Sequence, residues 1–432
     1  MISGGIVVSR FVTGFFRSGR TLVCDGVDLQ TIADAEGTPL YVYSAALIRE
    51  RFRALDEAFG GYQHALHYAL KANSGLAIGR LLQQLGSAAD ANSIWEIDVA
   101  RRMGFAPRDI VFTGVGKSPA ELEQAAPLGL KAINVESAGE LARVEAIAEG
   151  LGRPARVAVR INPDIDAKSH PHISTGLKIN KFGVPVDAAR ELFATLDGRP
   201  FLKLVAVHVH IGSQVTSIEP LRGAARFVAE MTLELLRKGI ELEYVDVGGG
   251  LGISYDGSPV LGFRDYVEAI VEAVRPTGLP IVLEPGRSII GPAGVLLGRV
   301  IDLKPRNAVS DFAVIDAGMT ELMRPALYNA YHRIEPVQAA DGTFRQYEIV
   351  GPVCESSDVV GRDRDLGPLA IGDLLAIGDA GAYGAAMASN YNRRPLPAEV
   401  MVDAGRWEVI RRRQTVDDML ALESAPTLAS GR

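Results

Sequence analysis

Cysteine is nearly missing: Cys24 and Cys354 are the two in 432 residues. Two thiols cannot frame a disulfide-stapled fold, and their scarcity fits a reducing compartment, so a cytoplasmic location is expected. No run of about 18 consecutive apolar residues occurs, which argues against a helical membrane span. A block of Lys and Arg is also lacking. With a formal net charge of -7 and a pI near 5.6, no face is suited to tracking a phosphate backbone, and nucleic acid is not an expected partner. Internal repeats and low-complexity segments are absent, apart from a polar tail after Leu422. The first twenty residues carry three arginines and no acid, but their apolar runs are broken, so a processed leader is not expected. No metal site is assigned.

What is present is apolar residue in quantity. At 47% hydrophobic and 22% charged, the chain can bury a large core and is too long for one average domain. From about residue 38 to 290, short apolar runs alternate with segments of helical period, which predicts βα units and a parallel sheet. Candidate strands are 65–72, 88–92, 110–113, 132–135, 157–161, 205–211, 244–247 and 281–283. Eight of them predict an α/β fold of the closed (β/α)8 barrel type. Between them, Leu141, Val144, Ile147 and Leu151 recur at helical spacing, as do Leu221, Val228, Met231 and Leu235. Gly104, Gly129 and Gly239 stand where such helices should end.

After Pro292 the runs become short and β-like (312–315, 347–350, 374–377), punctuated by Gly, Pro and Asp. A mainly β domain is expected there. The strand-rich N-terminal piece, with a turn at Arg17-Ser18-Gly19-Arg20, is expected to join it, giving a barrel over 38–290 and a β domain from 1–37 plus 291–432.

The reactive groups of such barrels sit at the C-terminal strand ends, and phosphate binds near the last two strands. The unusual residues of this chain fall at those ends. Strand one closes on Lys71, strand six on His210-Ile211-Gly212-Ser213, strand seven on Gly248-Gly249-Gly250 and strand eight on Glu284-Pro285-Gly286-Arg287. Glycines let backbone N–H groups approach a phosphate, although such a run can be purely geometric. Arg287 can grip an anion or serve as a rim salt bridge. Glu284 follows the apolar Ile281-Val282-Leu283, so its carboxylate needs a cation, either a neighbouring side chain or a protonated pyridine nitrogen. His210 can lie against a ring or be an ordinary structural histidine. Lys71 can condense with an aldehyde or snorkel to solvent. Taken together, the four features ask for pyridoxal phosphate, which none of them does alone.

In order and spacing, "YALKAN", "HVHIGSQ", "VDVGGGLG" and "LEPGR" resemble the alanine-racemase-like barrel family of pyridoxal phosphate decarboxylases. The segments from Ile161, Asp316 ("DAGMTELMRPALYNAYH"), Gly351 ("GPVCESSD") and Gly378 ("GDAGAYGAAMASNYN") extend the likeness over roughly residues 11 to 420, with a departure confined to the first strands. The downstream segments are similar to the branch acting on meso-diaminopimelate.

The resemblance implies a homodimer with active sites at the subunit interface. It implies Lys71 as cofactor anchor, His210 stacked on the ring, Glu284 at its nitrogen, and Ser213 orienting the cofactor. Gly248, Gly249, Gly250, Gly286 and Arg287 would bind the phosphate, with Pro285 among the cofactor contacts. Arg287, Arg324 and Tyr328 correspond to substrate-carboxylate contacts, Glu355 and Tyr383 to the remaining substrate and cofactor contacts, and Cys354 to a proton donor from the partner subunit. The implied reaction is decarboxylation of meso-2,6-diaminopimelate to L-lysine, the last step of lysine biosynthesis.

The rivals are a decarboxylase of ornithine, arginine or a related amino acid on the same fold, a racemase, and a non-catalytic pyridoxal phosphate carrier. Glu355 rather than Asp after Cys354, with Arg324 on hand, favours a substrate bearing two carboxylates. Glu284 where a racemase usually has arginine disfavours racemisation. A degenerate carrier should have lost Lys71 or Cys354, and both are present.

Overall fold

The computed structural model describes residues 14–167, 175–176, 180–196, 198–307 and 310–423. The readings that fall on the first dozen residues, on much of the segment after Ile161 and on the tail beyond 423 lie outside the described residues. The chain divides into two compact units, Leu47–Pro292 and Met1–Ala46 with Ala293–Arg432.

The first unit is the expected barrel. Its strands are His64–Ala69, Ala88–Ala91, Ile110–Phe112, Ala132–Val135, Ala155–Asn162, Leu202–His208, Tyr244–Asp246 and Ile281–Leu283. Each pairs in parallel with the next, and the eighth returns to the first through Ile281 and His64, closing the sheet. Strands covered on both faces read as continuous apolar runs such as Ile110-Val111-Phe112, all three buried. Ala132, Ala158, Val205, Ala206, Tyr244 and Val282 form one buried cluster of this unit.

Helices cover the barrel as the spacing predicts. Ile218–Arg237 buries Leu221, Val228, Met231 and Leu235 along one stripe, each such side chain contributing roughly 1.5–3 kcal/mol. Helix Ala138–Gly150 starts at Ser137, whose hydroxyl accepts the Glu140 N–H at 3.0 Å. It buries Leu141, Val144 and Ala148, whereas Leu151, expected on that face, lies past the last turn and is exposed. Gly104 closes helix Ile94–Met103 in the left-handed conformation, at φ 105°.

Two expectations shift. The first strand ends at Ala69, and Lys71 lies in a 3-10 turn, Leu70–Ala72. That turn is fastened by Tyr68, whose hydroxyl donates to the Asn73 carbonyl at 2.9 Å, and by Asn73, whose side chain accepts the Gly75 N–H at 3.0 Å. Strand Leu40–Ser44, placed at the start of the barrel domain by the sequence boundary, belongs to the second unit. Its backbone pairs antiparallel with Gly294–Pro305 and parallel with Ala398–Asp403. The eight-stranded ring is already closed and has no edge for it.

The second unit is mostly sheet. Its main path runs Val359–Leu366, Arg345–Val350, Ser310–Ile315, Gly294–Pro305, Leu40–Ser44, Ala398–Asp403 and Arg406–Arg411. The hairpin of Phe15–Ser18 and Thr21–Cys24 turns at Gly19 and is stitched to the C-terminal part of the unit by the Leu22 N–H on the Val337 carbonyl, at 2.8 Å. N-terminal strands thus join the β domain. Both cysteines are free, Cys24 buried and Cys354 exposed.

Candidate active site

Lys71 emerges from its turn with Nζ 3.0 Å from Asp90 Oδ2 and 3.4 Å from Asn92 Oδ1. Asp90 is wholly buried, while a third of the Lys71 side chain is accessible, at 33%. The pair forms because parallel register sets Ala69 beside Asp90 on the first two strands. Sequence reading missed Asp90: it lies inside the alanine-rich strand Ala88–Ala91 and has no spacing signature of its own.

Glu284 is buried and follows the eighth strand, its backbone N–H bound to the Gly248 carbonyl at 2.8 Å. Burial pushes its carboxyl up, but His208, Lys71 and Arg160 outweigh that and hold it well below its usual range. One of its oxygens, Oε1, is buried without a protein partner. Such an acceptor is what a protonated ring nitrogen would satisfy.

The three glycines are required by packing at least as much as by ligand approach. A Cβ on Gly248 would collide with the Val209 carbonyl, one on Gly249 with the Glu284 carbonyl, and one on Gly250 would come within 2.6 Å of the Gly212 carbonyl. Two of their N–H groups are already committed: that of Gly248 to Asp246 Oδ1 at 3.0 Å and that of Gly249 to His210 Nδ1 at 3.1 Å. These two bonds tie the turn to the seventh strand and to His210. Gly286 is equally confined, a Cβ there meeting Ala72 Cβ at 3.0 Å and Ala69 Cβ at 3.1 Å, and Pro285 precedes it with its carbonyl taking the Ala69 N–H at 3.0 Å.

His210 accepts at Nδ1, so a neutral ring carries its proton on Nε2. Burial, with Lys71 and Arg160 nearby, holds its pKa well below the ordinary value, and the ring is neutral at physiological pH. Arg287, buried at the start of the short helix Arg287–Ile290, donates to Ser213 Oγ from Nη2 at 3.0 Å and from Nε at 3.3 Å, and to the Tyr255 hydroxyl at 2.6 Å. The structure thus ties Ser213 and Arg287 into one array and adds Tyr255, which the motif search passed over because it lies in an irregular loop.

The second unit carries the remaining candidates. Arg324 opens helix Arg324–Tyr328 and is buried against His332, with Nη1 2.6 Å from Nε2, while His332 Nδ1 donates to the Gly378 carbonyl at 2.8 Å. Tyr328 is half-buried at the end of that helix. Cys354 and Glu355 lie on a loop shaped by Asp358, whose carboxylate takes the Val353 N–H at 2.8 Å and the Met319 N–H at 2.6 Å. The Cys354 N–H donates to Asn392 Oδ1 at 3.2 Å, and the Tyr391 hydroxyl donates to Glu355 at 3.2 Å. Tyr383 adopts a left-handed backbone, φ 58°, uncommon for an aromatic residue.

A closed barrel whose C-terminal strand ends present an amine, a carboxylate with an unspent oxygen, a neutral imidazole and an anchored arginine defines a pyridoxal phosphate-dependent enzyme. Residues 45–291 match the pyridoxal-binding domain of the pyridoxal-dependent decarboxylases. A diaminopimelate decarboxylase of Pseudomonas aeruginosa is 45% identical over 404 residues, spanning 93% of this chain and 97% of the relative. One from Helicobacter pylori strain J99 is 45% identical over 388 residues, 89% of this chain and 95% of the relative. Among solved structures, diaminopimelate decarboxylase from Helicobacter pylori complexed with L-lysine superposes with a TM-score of 0.88 at 43% identity, covering 92% of this chain and 99% of the other. The enzyme from M. jannaschii, also in complex with L-lysine, gives 0.91 at 39% identity over 96% and 98%. The chain belongs to the pyridoxal-dependent decarboxylases and, within them, to the diaminopimelate decarboxylase family.

Proposed function

We infer that the chain decarboxylates meso-2,6-diaminopimelate to L-lysine and carbon dioxide with pyridoxal 5'-phosphate, closing lysine biosynthesis. The reading rests on near full-length similarity to diaminopimelate decarboxylases together with one observation, the buried Glu284 oxygen without a protein partner just past the eighth barrel strand. When bound, pyridoxal phosphate supplies an electron sink for the pair left as the carboxylate departs.

The chain supplies the rest. Lys71 would hold the cofactor through its amine, and Asp90 orients the Lys71 ammonium. Glu284 stays ionised to keep the ring nitrogen protonated. His210, fixed by the Gly249 N–H, offers a flat neutral face to the ring. Arg287, steadied by Ser213 and Tyr255, supplies positive charge for an anionic group, with the Gly250 and Gly286 backbone at that end of the barrel, while Tyr383 matches a cofactor contact of the family.

Arg324, Tyr328 and Glu355 suit a substrate with a second carboxylate and a second amine. Cys354 Sγ, exposed on its loop, delivers the proton that replaces the lost carboxylate. A homodimer in cytoplasm is part of the proposal, with Cys354 of the partner subunit completing each site. No helix among the described residues is long and apolar enough to cross a membrane.

The test is carbon dioxide release from meso-diaminopimelate, ornithine, arginine and lysine by purified protein with pyridoxal phosphate. Release from ornithine alone refutes the substrate. Lys71→Ala should abolish the bound-cofactor absorbance and turnover together, and a Lys71→Ala protein working at the wild-type rate refutes the assignment.

A further inference from the structure

Beneath Glu284 the barrel buries two more titratable groups for which the proposed reaction has no use. His208 and Asp246 are the last residues of the sixth and seventh strands, each fully buried, and parallel register places them side by side. His208 Nε2 lies 3.4 Å from Glu284 Oε2, at ion-pair distance though not aligned as a hydrogen bond, and one ligand-capable atom from each of the three residues falls within 4.8 Å of the others. Two carboxylates and one imidazole thus share a volume without water access. Both cannot ionise there unless positive charge is supplied, and one pair of opposite charges with one neutral acid is the arrangement of lowest cost.

The surroundings decide which carboxyl keeps its proton. Glu284 faces Lys71 and Arg160 as well as His208. Asp246 has burial and the Glu284 charge against it, and both push its carboxyl well above the usual range in spite of the Gly248 N–H. His208 is lowered by burial, yet the charge of Glu284, the larger of the carboxylate influences on it, acts against this and the net shift is upward. The other titratable neighbours do not change the assignment. His67 is kept neutral by burial, down to about 4, and its Nδ1 lies 3.3 Å from the Ala89 carbonyl. Asp90 is spent on Lys71, Arg160 on Glu136 at 2.9 Å, and burial raises the phenols of Tyr244 and Tyr266.

We propose that His208 and Asp246 are positioning residues: His208 as imidazolium is the buried counter-charge that keeps Glu284 ionised, and Asp246 as neutral acid sets no second negative charge beside it, so that Glu284 Oε1 is left for the cofactor's ring nitrogen. The proposal rests on the pyridoxal phosphate reading above. It also gives the "HVH" that closes the sixth strand two separate duties, since His208 lies beside Glu284 and Asp246 while His210 accepts the Gly249 N–H. A cation bound by the same three atoms is the competing use of this geometry. It would consume the Glu284 charge that the ring nitrogen requires.

The experiment compares holoenzymes reconstituted with pyridoxal phosphate labelled with 15N in the ring and read by 15N NMR, where protonated and unprotonated ring nitrogens are well separated. Wild type should show the protonated signal, and Glu284→Gln should lose it. His208→Gln should move the signal toward the unprotonated position and lower kcat at least about tenfold, the size of one pKa unit of lost proton affinity, with KM for the substrate little changed. Asp246→Asn, which replaces a neutral acid by a neutral amide and keeps an oxygen for the Gly248 N–H, should retain the protonated signal, and it carries the test if His208→Gln fails to fold.

A protonated nitrogen and wild-type kcat in His208→Gln overturn the proposal. So does loss of the signal in Asp246→Asn equal to that in Glu284→Gln, and so does stoichiometric manganese or zinc uptake by the cofactor-free protein that His208→Gln abolishes. Failure of wild type to take up the cofactor, or a wild-type nitrogen that is unprotonated, refutes the underlying reading instead.

Discussion

Gly249→Ala isolates the geometry of the site from its chemistry, because it adds one methyl group and no charge. Gly249 does not have a left-handed backbone, so an alanine is not strained by conformation and the effect is one of space. The new Cβ would collide with the Glu284 carbonyl oxygen, stand 3.0 Å from its carbon and touch His210 Cε1 at 3.8 Å. The Glu284 backbone cannot retreat cheaply, since its N–H is bonded to Gly248 at 2.8 Å and the next carbonyl to Ala69 at 3.0 Å. The glycine turn must move, and the Gly249 N–H on His210 is the bond it strains.

Overpacking of this kind costs about 1–3 kcal/mol and a lost hydrogen bond about 1 kcal/mol. A destabilisation of roughly 2–4 kcal/mol is expected from their sum. Because the same shift moves the glycine turn and the His210 ring bonded to it by a good fraction of an ångström, turnover should fall on the order of 100-fold. Urea unfolding of the cofactor-free protein measures the first and steady-state carbon dioxide release the second. Gly61→Ala, where a Cβ meets nothing within 4 Å, is the control. If Gly249→Ala matches Gly61→Ala in both assays, the argument that backbone packing requires this glycine is wrong.

Ser213→Ala removes the acceptor that holds two Arg287 nitrogens; the buried guanidinium should lose about 1–3 kcal/mol of support, and the dissociation constant of pyridoxal phosphate, measured by fluorescence titration, should rise more than tenfold. Cys354→Ala, on an exposed loop, should bind cofactor as wild type does but turn over about 100-fold or more slowly, so unchanged kcat removes Cys354 as proton donor. Glu243 tests electrostatics far from the chemistry. Its carboxyl is brought from 4.5 to about 2, chiefly by hydrogen bonds from Arg156, with Lys203 adding to them against burial. A folded pKa below the unfolded one contributes stability above about pH 4.5 that is lost as pH falls toward 2. The pair is partly solvated, with Glu243 41% exposed, so the contribution stays below about 1 kcal/mol. The gap in urea midpoint between wild type and Glu243→Gln should therefore close across that window, and a gap independent of pH would show that the ion pair is not its source.

Much of the site was readable because barrel chemistry gathers at strand ends. Lys71, His210, Gly248–Gly250, Glu284 and Arg287 each follow a short apolar run, so periodicity alone places them at the same end of one barrel. What a run cannot state is which sheet it joins. Leu40–Ser44 is apolar enough for either unit, and only backbone pairing with Gly294–Pro305 and Ala398–Asp403 assigns it. The same limit hid Asp90, Tyr255, His208 and Asp246, whose partners lie on other strands or loops and are chosen by register.

By itself the sequence determined the order of strands and helices, the barrel and the identity of its reactive side chains, since these depend on local apolar period and on residue type. Tertiary structure alone decided which charges meet. It set Asp90 beside Lys71, tied two of the glycine amides to Asp246 and His210, and enclosed His208 and Asp246 with Glu284. Such contacts join residues tens of positions apart, and their energies depend on burial, which exists only once the sheet has closed.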